Sequence, residues 1–106
     1  MYLLCFYVPE DALERVKDAV FAAGAGRIGH YDHCSWQTAG QGQFRPLAGS
    51  NPAVGRQDSL EKVVEYKVEL VCQEQCVRAA VRALREAHPY EEPAWHVLQQ
   101  PDGFGD

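Results

Sequence analysis

The hydrophobic pattern of this chain changes period along its length, and each change marks the border of a predicted element. Residues 2–8 are continuously apolar or aromatic and stop at Pro9, which indicates a buried strand. Apolar residues then recur at helical spacing as far as Gly24 and Gly26, with proline and acids at the start of the helix. The predicted inward positions of this helix are Leu13, Val16, Ala19, Val20 and Ala23.

The next stretch is less regular and predicts a hairpin followed by a long loop. Residues 31–38 favour a strand, Gly40-Gln41-Gly42 favours a turn, and residues 43–45 can return antiparallel. Residues 46–56 are rich in Gly, Pro and Asn. Connections of that length in a small domain tend to be functional or mobile.

Clean alternation from Leu60 to Val71 predicts a half-buried strand. The side predicted to face the core holds Val64, Tyr66, Val68 and Leu70. The other side holds Glu65, Lys67 and Glu69, which face either solvent or charged groups of a neighbouring subunit.

Helical period returns from Gln73 to Ala87, and Pro89 ends that helix. Its predicted inward residues are Val77, Ala80, Val81, Leu84 and Ala87. Residues 95–98 form a short final strand, and residues 100–106 are expected to be a flexible tail.

The element order β-α-β-β-α-β predicts an α+β, ferredoxin-like domain over residues 1–99, with an antiparallel sheet and two helices on one face. The uncovered face would carry Tyr2, Trp36 or Tyr66, depending on the register. Because an aromatic open face is usually covered by another subunit, we expect a homo-oligomer, with a trimer favoured.

Composition narrows the function classes. The 106 residues carry a net charge of −5, which argues against nucleic acid as a partner. No apolar run approaches the roughly 20 residues that span a bilayer, and residues 1–8 lack the features of a signal peptide, so we expect a cytoplasmic protein without a membrane partner. The spacing of Cys5, Cys34, Cys72 and Cys76 favours free, buried thiols over a disulfide or thiolate metal site.

Three segments together resemble one bacterial family. Residues 24–36 resemble its glycine-rich entry to the second strand, residues 42–52 its hairpin and loop, and residues 88–94 its closing His-Pro-Tyr-Glu-Glu-Pro-Ala motif. The chain is similar over nearly its whole length to the YqfO-type insert domain of the Nif-three-like dimetal proteins, here as a free-standing small protein.

This resemblance implies a fold like that of CutA and the PII signalling proteins, which assemble as trimers. In two-domain relatives the dinuclear metal site belongs to the flanking domain, whose sequence is absent here. The resemblance therefore transfers no activity, and it leaves open whether a partner supplies that domain.

The octapeptide His88–Trp95 is the main chemical candidate, because two prolines hold an imidazole, a phenol and two carboxylates in a stiff segment. It either shapes a structural joint or presents ligands. A divalent metal ion is the candidate cofactor. Its predicted ligands are His30, His33, His88, Glu91 and Glu92, with His96 as a further imidazole. The alternative is that these histidines bond backbone groups at joints.

A small-molecule or anion site is the second candidate, formed by Arg27, Arg45 and Tyr90 together with the glycines at 24, 26 and 29 and the 46–56 loop. These glycines follow a helix, whereas the dinucleotide fingerprint follows a strand, so a helix end and a sharp turn are the alternative.

Catalysis is the least favoured function. Glu91 and Glu92 are neighbours whose side chains should diverge, and His33 and Cys34 should point to opposite faces of a strand. The sequence therefore predicts an oligomeric binding or assembly module that is not an enzyme, with divalent-metal binding in the manner of CutA as the alternative.

Overall fold

The computed structural model describes residues 1–101 and 103–104. Its elements follow the predicted order: β1 (Tyr2–Pro9), a short 3-10 turn (Glu10–Ala12), α1 (Leu13–Ala22), β2 (Trp36–Phe44), β3 (Glu61–Cys72), α2 (Glu74–Ala87) and β4 (Trp95–Gln99). All strand pairs are antiparallel, and the sheet order is β2-β3-β1-β4. The predicted α+β, ferredoxin-like fold is confirmed.

The core lies between one face of the sheet and the two helices. Alternate residues of β1, namely Leu4, Phe6 and Val8, are fully buried there with Val16 and Val20 of α1 and Ala80 and Leu84 of α2. Helix α1 ends as predicted, because Gly24 and Gly26 adopt positive φ angles of 104° and 80°, which glycine tolerates.

The predicted hairpin at Gly40-Gln41-Gly42 is wrong. These residues lie inside one continuous strand, β2, which pairs with β3 from Trp36 opposite Glu69 to Phe44 opposite Glu61. The Glu65 side chain lies against the backbone of Gly42, where a Cβ atom would overlap the carboxylate. These glycines therefore allow close approach across the sheet and do not make a turn.

The predicted strand start at Tyr31 is also wrong. Ile28 and Tyr31 exchange two backbone hydrogen bonds in a tight turn, and His33 adopts a φ of 55°, so the strand begins only at Trp36. Cys34 is accordingly not inside a strand, contrary to the prediction.

Strand β3 reaches beyond the core, and this corrects the prediction for Val64. Pro9, the last residue of β1, pairs with Glu65, so residues 61–64 pair only with β2 and form a projecting two-stranded ribbon. Val64 is 60% exposed, whereas Val68 is fully buried.

The other sheet face has no helix over it. Cross-strand partners share a face, so Trp36 lies on this open face with Glu69, and Tyr7 lies there with Lys67. The predicted tail includes Asp102, Gly105 and Asp106, which lie outside the described residues. Among the helices that the structure describes, none has the length and apolarity to cross a membrane.

Candidate functional site

His88 joins the end of α2 to β1. Its backbone N–H donates to the carbonyl of Leu84 at the end of α2, and the residue is only 6% exposed. Nδ1 accepts a hydrogen bond from the backbone N–H of Tyr90 at 3.1 Å, and Nε2 lies 2.7 Å from the carbonyl oxygen of Tyr7. These two contacts together require the neutral tautomer that carries its proton on Nε2.

Burial lowers the pKa of His88 below its ordinary value. The hydrogen bond to Tyr7 and the charge of Glu65 act in the opposite direction, while Arg15 adds to the lowering. His88 is therefore neutral near pH 7, with both ring nitrogens engaged by backbone groups. This is the joint-forming role that the sequence left open beside the ligand role.

Tyr90 packs its ring between two others. Ring centroids lie 4.9 Å from His88 and 6.1 Å from Phe44. The hydroxyl is buried beside the Glu65 carboxylate and makes only a loose hydrogen bond to it, outside ordinary hydrogen-bond geometry. Burial, followed by the charge of Glu65 and this hydrogen bond, raises the pKa of Tyr90 to about 12, so the hydroxyl keeps its proton.

Glu91 connects the 46–56 loop to the segment that follows α2. Its Oε2 accepts a hydrogen bond from the backbone N–H of Asn51 at 3.1 Å. Within the loop, the Ser50 N–H and hydroxyl both donate to the carbonyl of Leu47, and the Asp58 N–H donates to the carbonyl of Pro46 at 2.6 Å. The loop is thus a folded structure held over the sheet, not an open connection.

A cavity of about 420 Å³ lies between this loop, the open sheet face and the segment that follows His88. Its apolar wall includes Tyr7, Phe44, Pro46, Leu47, Pro52 and Tyr90. Its charged lining consists of Arg45, Glu65, Glu91 and Glu92. Cavities of this volume with a mostly apolar lining and few polar groups are typical of small-molecule sites.

The structure places the three predicted ligand-binding residues in two separate regions. Arg45 and Tyr90 line the cavity together. Arg27 lies elsewhere. Its neighbour Gly26 donates a backbone hydrogen bond to the carbonyl of Val71, near one end of β3. Phe44, the neighbour of Arg45, pairs with Glu61 at the other end of β3. Ten residues of extended strand separate those two points, which corresponds to about 30 Å.

The predicted metal ligands are spread over two regions. His30 and His33 lie in the turn after α1, where the His33 ring packs on Phe21 and its Nδ1 is 3.2 Å from Asp32 Oδ1. That turn lies near the start of β1, whereas the other predicted ligands, His88, Glu91 and Glu92, lie near its end. Within residues 1–101 and 103–104, no group of three His, Cys, Asp or Glu side chains is placed to hold a metal. Metal binding stays a prediction.

Other residues that line the cavity are not among the site residues predicted from sequence, namely Tyr7, Gln43, Phe44 and Glu65. The sequence places Tyr7 in a buried strand and Glu65 on a charged strand face. The useful signal was the alternation along β3, which separates Glu65 from the core, but the pairing that brings it to Gly42 and Tyr90 is long-range. Lys67 and Glu69 of the same face form an ion pair with each other at 3.0 Å.

All four cysteines are free, as predicted, but the prediction that all of them are buried is wrong. Cys5 and Cys72 are buried, whereas Cys34 and Cys76 are partly exposed. Cys34 has its thiol 3.6 Å from the carbonyl of Asp32, and the neighbouring His33 ring pairs with the Asp32 carboxylate. His33 is thus directed to a carboxylate and not to the thiol.

Comparisons with known proteins agree with the resemblance. No protein-family model matches the chain. A Mycobacterium tuberculosis protein named GTP cyclohydrolase 1 type 2 homolog is 48% identical over 92 residues, which is 87% of this chain and 24% of that protein. The chain therefore spans about a quarter of the length of the curated relatives that it matches.

Solved structures give the same result. The Bacillus cereus protein related to NIF3 superposes with a TM-score of 0.78 at 35% identity, over 92% of this chain and 24% of that one. CutA1 from Pyrococcus horikoshii superposes with a TM-score of 0.70 at 16% identity, over 100% of this chain and 89% of that one, which shows a shared fold alone. The chain is thus a homologue of one domain-sized segment of the NIF3-related proteins, built on the fold of CutA.

Proposed function

We propose that this protein is a small-molecule binding module whose ligand occupies the cavity under the 46–56 loop. The observation that carries the proposal is the hydrogen bond from Asn51 to Glu91, because it fixes the loop as a wall over an apolar pocket. Arg45 and Tyr90, two of the three ligand-binding residues expected from sequence, line that pocket and support the proposal.

The proposal is of binding without catalysis. A general base needs a lone pair that can reach substrate. Nδ1 of His88 accepts from the Tyr90 N–H, and one oxygen of Glu91 accepts from Asn51. The two groups of the motif with the most suitable chemistry are therefore engaged in holding structure.

A cavity-filling variant tests the proposal. Ala53 lines the cavity and is exposed, so Ala53→Trp can enter the pocket without disturbing the core. Gln57→Trp, one residue past this loop and outside the lining, is the matched control. A thermal-shift screen with nucleotides, organic acids and amines should give compounds that raise the Tm of the native protein and of Gln57→Trp, but not of Ala53→Trp. A screen without a stabilising compound, or equal shifts in both variants, would contradict the proposal.

Self-association is the second part of the proposed function, with a trimer favoured. The sheet order leaves one edge free at β2 and another at β4. Trp36 on β2 is 69% exposed, and free strand edges with exposed aromatics favour pairing with another chain. The partner that fits both edges is a second copy, since a β2 edge on one subunit can pair with a β4 edge on the next.

Light scattering after size exclusion tests this assembly. Trp36→Glu should lower the mass towards the monomer, whereas Ile28→Glu, at an exposed residue outside the named strands, should leave the mass unchanged. A monomeric native protein at micromolar concentration would overturn the proposed assembly.

Divalent-metal binding in the manner of CutA remains the alternative function. His30, His33, Glu91 and Glu92 keep side-chain atoms that could ligate, although the structure does not bring them to one point. Metal analysis after dialysis against zinc, copper and nickel tests this alternative. Protein that retains none of these ions, and that keeps its mass in chelator, would remove it.

A further inference from the structure

We infer that the cavity under the 46–56 loop takes a small organic cation, an amine on an apolar or aromatic body, with its ammonium group on the Glu65 carboxylate. This inference rests on the proposed function, because it names the ligand class for the same cavity.

The charges around the cavity favour a cation. Three carboxylates, those of Glu65, Glu91 and Glu92, face the single guanidinium of Arg45. Glu65 is half-buried and makes no ion pair among the described residues. A ligand cation would supply the ion pair that this carboxylate lacks.

The Tyr90 hydroxyl lies beside the same carboxylate. It is closed off from solvent and makes only a loose hydrogen bond to Glu65, outside ordinary hydrogen-bond geometry. A carboxylate has several lone pairs, so Glu65 can accept from a ligand ammonium as well as from Tyr90.

The rest of the lining defines the body of the ligand. The rings of Tyr7, Phe44 and Tyr90 and the side chain of Leu47 offer an apolar and aromatic surface. Aromatic faces also attract cations through their quadrupoles. A volume of about 420 Å³ admits a ring system with a short side chain.

The same charges oppose an anionic ligand. A phosphate or a carboxylate placed on Arg45 would share the cavity with three carboxylates, and like charges at short range disfavour one another. The excess of negative charge therefore favours a cation bound by Glu65 over an anion bound by Arg45.

Three compounds of one shape and different charge test the inference: tryptamine (cation), tryptophol (neutral) and indole-3-propionate (anion). Calorimetry at pH 7 gives each affinity, and amide chemical shifts of Arg45, Ser50 and Glu91 report whether the compound occupies the cavity. Tryptamine should bind about tenfold more tightly than tryptophol, and indole-3-propionate should bind most weakly.

Two variants assign the effect to residues. Glu65→Gln removes the charge at nearly constant shape and should abolish the preference for tryptamine. Tyr90→Phe, which removes the hydroxyl beside the Glu65 carboxylate, should weaken tryptamine binding several-fold. Glu69→Gln, on the same strand and face but outside the lining, is the control and should keep the full preference.

The outcomes separate this inference from the function on which it rests. Equal binding of the three compounds in the cavity, or tightest binding of indole-3-propionate, overturns the ligand class and leaves the binding function standing. If no compound of this set or of the broader thermal-shift screen moves the cavity amides, both the ligand class and the binding function are wrong.

Discussion

The Nε2 atom of His88 lies 2.7 Å from the carbonyl oxygen of Tyr7, and this contact fixes where the cavity stands on the sheet. Tyr7 forms part of the cavity wall, and Tyr90, two residues after His88, forms another part. A buried imidazole therefore sets the distance between two walls of the proposed site without touching the ligand space. The most chemically suggestive motif of the chain acts first as a joint, and through that joint it shapes the pocket.

We expect acid to destabilise the protein through His88. Burial lowers the pKa of this imidazole in the folded state, whereas its value in the unfolded chain is about 6.5. A group with a lowered pKa binds more protons when unfolded, so its contribution to stability is fully present above about pH 6.5 and is lost as the pH falls through the folded-state pKa. Urea unfolding between pH 5 and pH 8 measures this slope.

Comparing the pH dependence of stability in His88→Gln and His30→Gln tests whether His88 is the group responsible. The His88 variant should lose about 1–3 kcal/mol at pH 8, where its hydrogen bonds are broken, and should show a smaller decrease in stability on acidification. His30 is exposed, so the stability of its variant should change with pH as that of the native protein does. Contributions from carboxylates are the same in both variants and cancel in the comparison. If the His88 variant kept the native pH slope, the linkage would belong to another group.

Strand β3 offers a test of the projecting ribbon. Val68 is fully buried and Val64 is 60% exposed, although both belong to one strand and have the same parity. Val68→Ala should destabilise the protein by about 2 kcal/mol through lost burial and a residual cavity, whereas Val64→Ala should change stability by less than about 0.5 kcal/mol. Equal losses in urea unfolding would mean that the ribbon is packed against something in solution, and a second copy is then the first candidate.

The close approach at Gly42 gives a third prediction. A Cβ at this position would overlap the Glu65 carboxylate, whereas a Cβ at Gly40 meets nothing within 4 Å. Gly40→Ala should stabilise the protein by about 0.5 kcal/mol through the unfolded state, and Gly42→Ala should lose that gain and about 1 kcal/mol more. In a Glu65→Ala background the two alanine variants should become equivalent. A difference that persisted there would exclude Glu65 as the cause.

The sequence predicts the fold well where local rules agree. The continuous apolar run of β1, the alternation along β3, the helical spacing of α1 and α2 and the Pro9 and Pro89 stops identify these elements because each pattern depends on neighbouring residues. The hairpin failed because Gly40 and Gly42 carry the composition of a turn, while their extended conformation is fixed by β3, some twenty residues away. Only part of the cavity lining could be predicted, for the same reason. Arg45 and Tyr90 belong to sequence motifs, whereas Glu65 is brought beside them only by the register of the strands.

Thiol reactivity gives the last prediction. Burial raises the pKa of Cys72 to about 11, with a further contribution from the neighbouring thiol of Cys76, and burial also raises the pKa of Cys5. Because the thiolate is the nucleophile and both thiols are about 1% exposed, they should resist alkylation at pH 8 while the fold persists. Cys34 is partly exposed in the turn before β2 and should react first. Iodoacetamide labelling followed by mass spectrometry of the peptides measures the order, and urea provides the control, since unfolding should make the four rates similar. Labelling of Cys72 ahead of Cys34 in the native protein would show that the end of the sheet near Tyr2 opens, and the buried core described there would be incorrect.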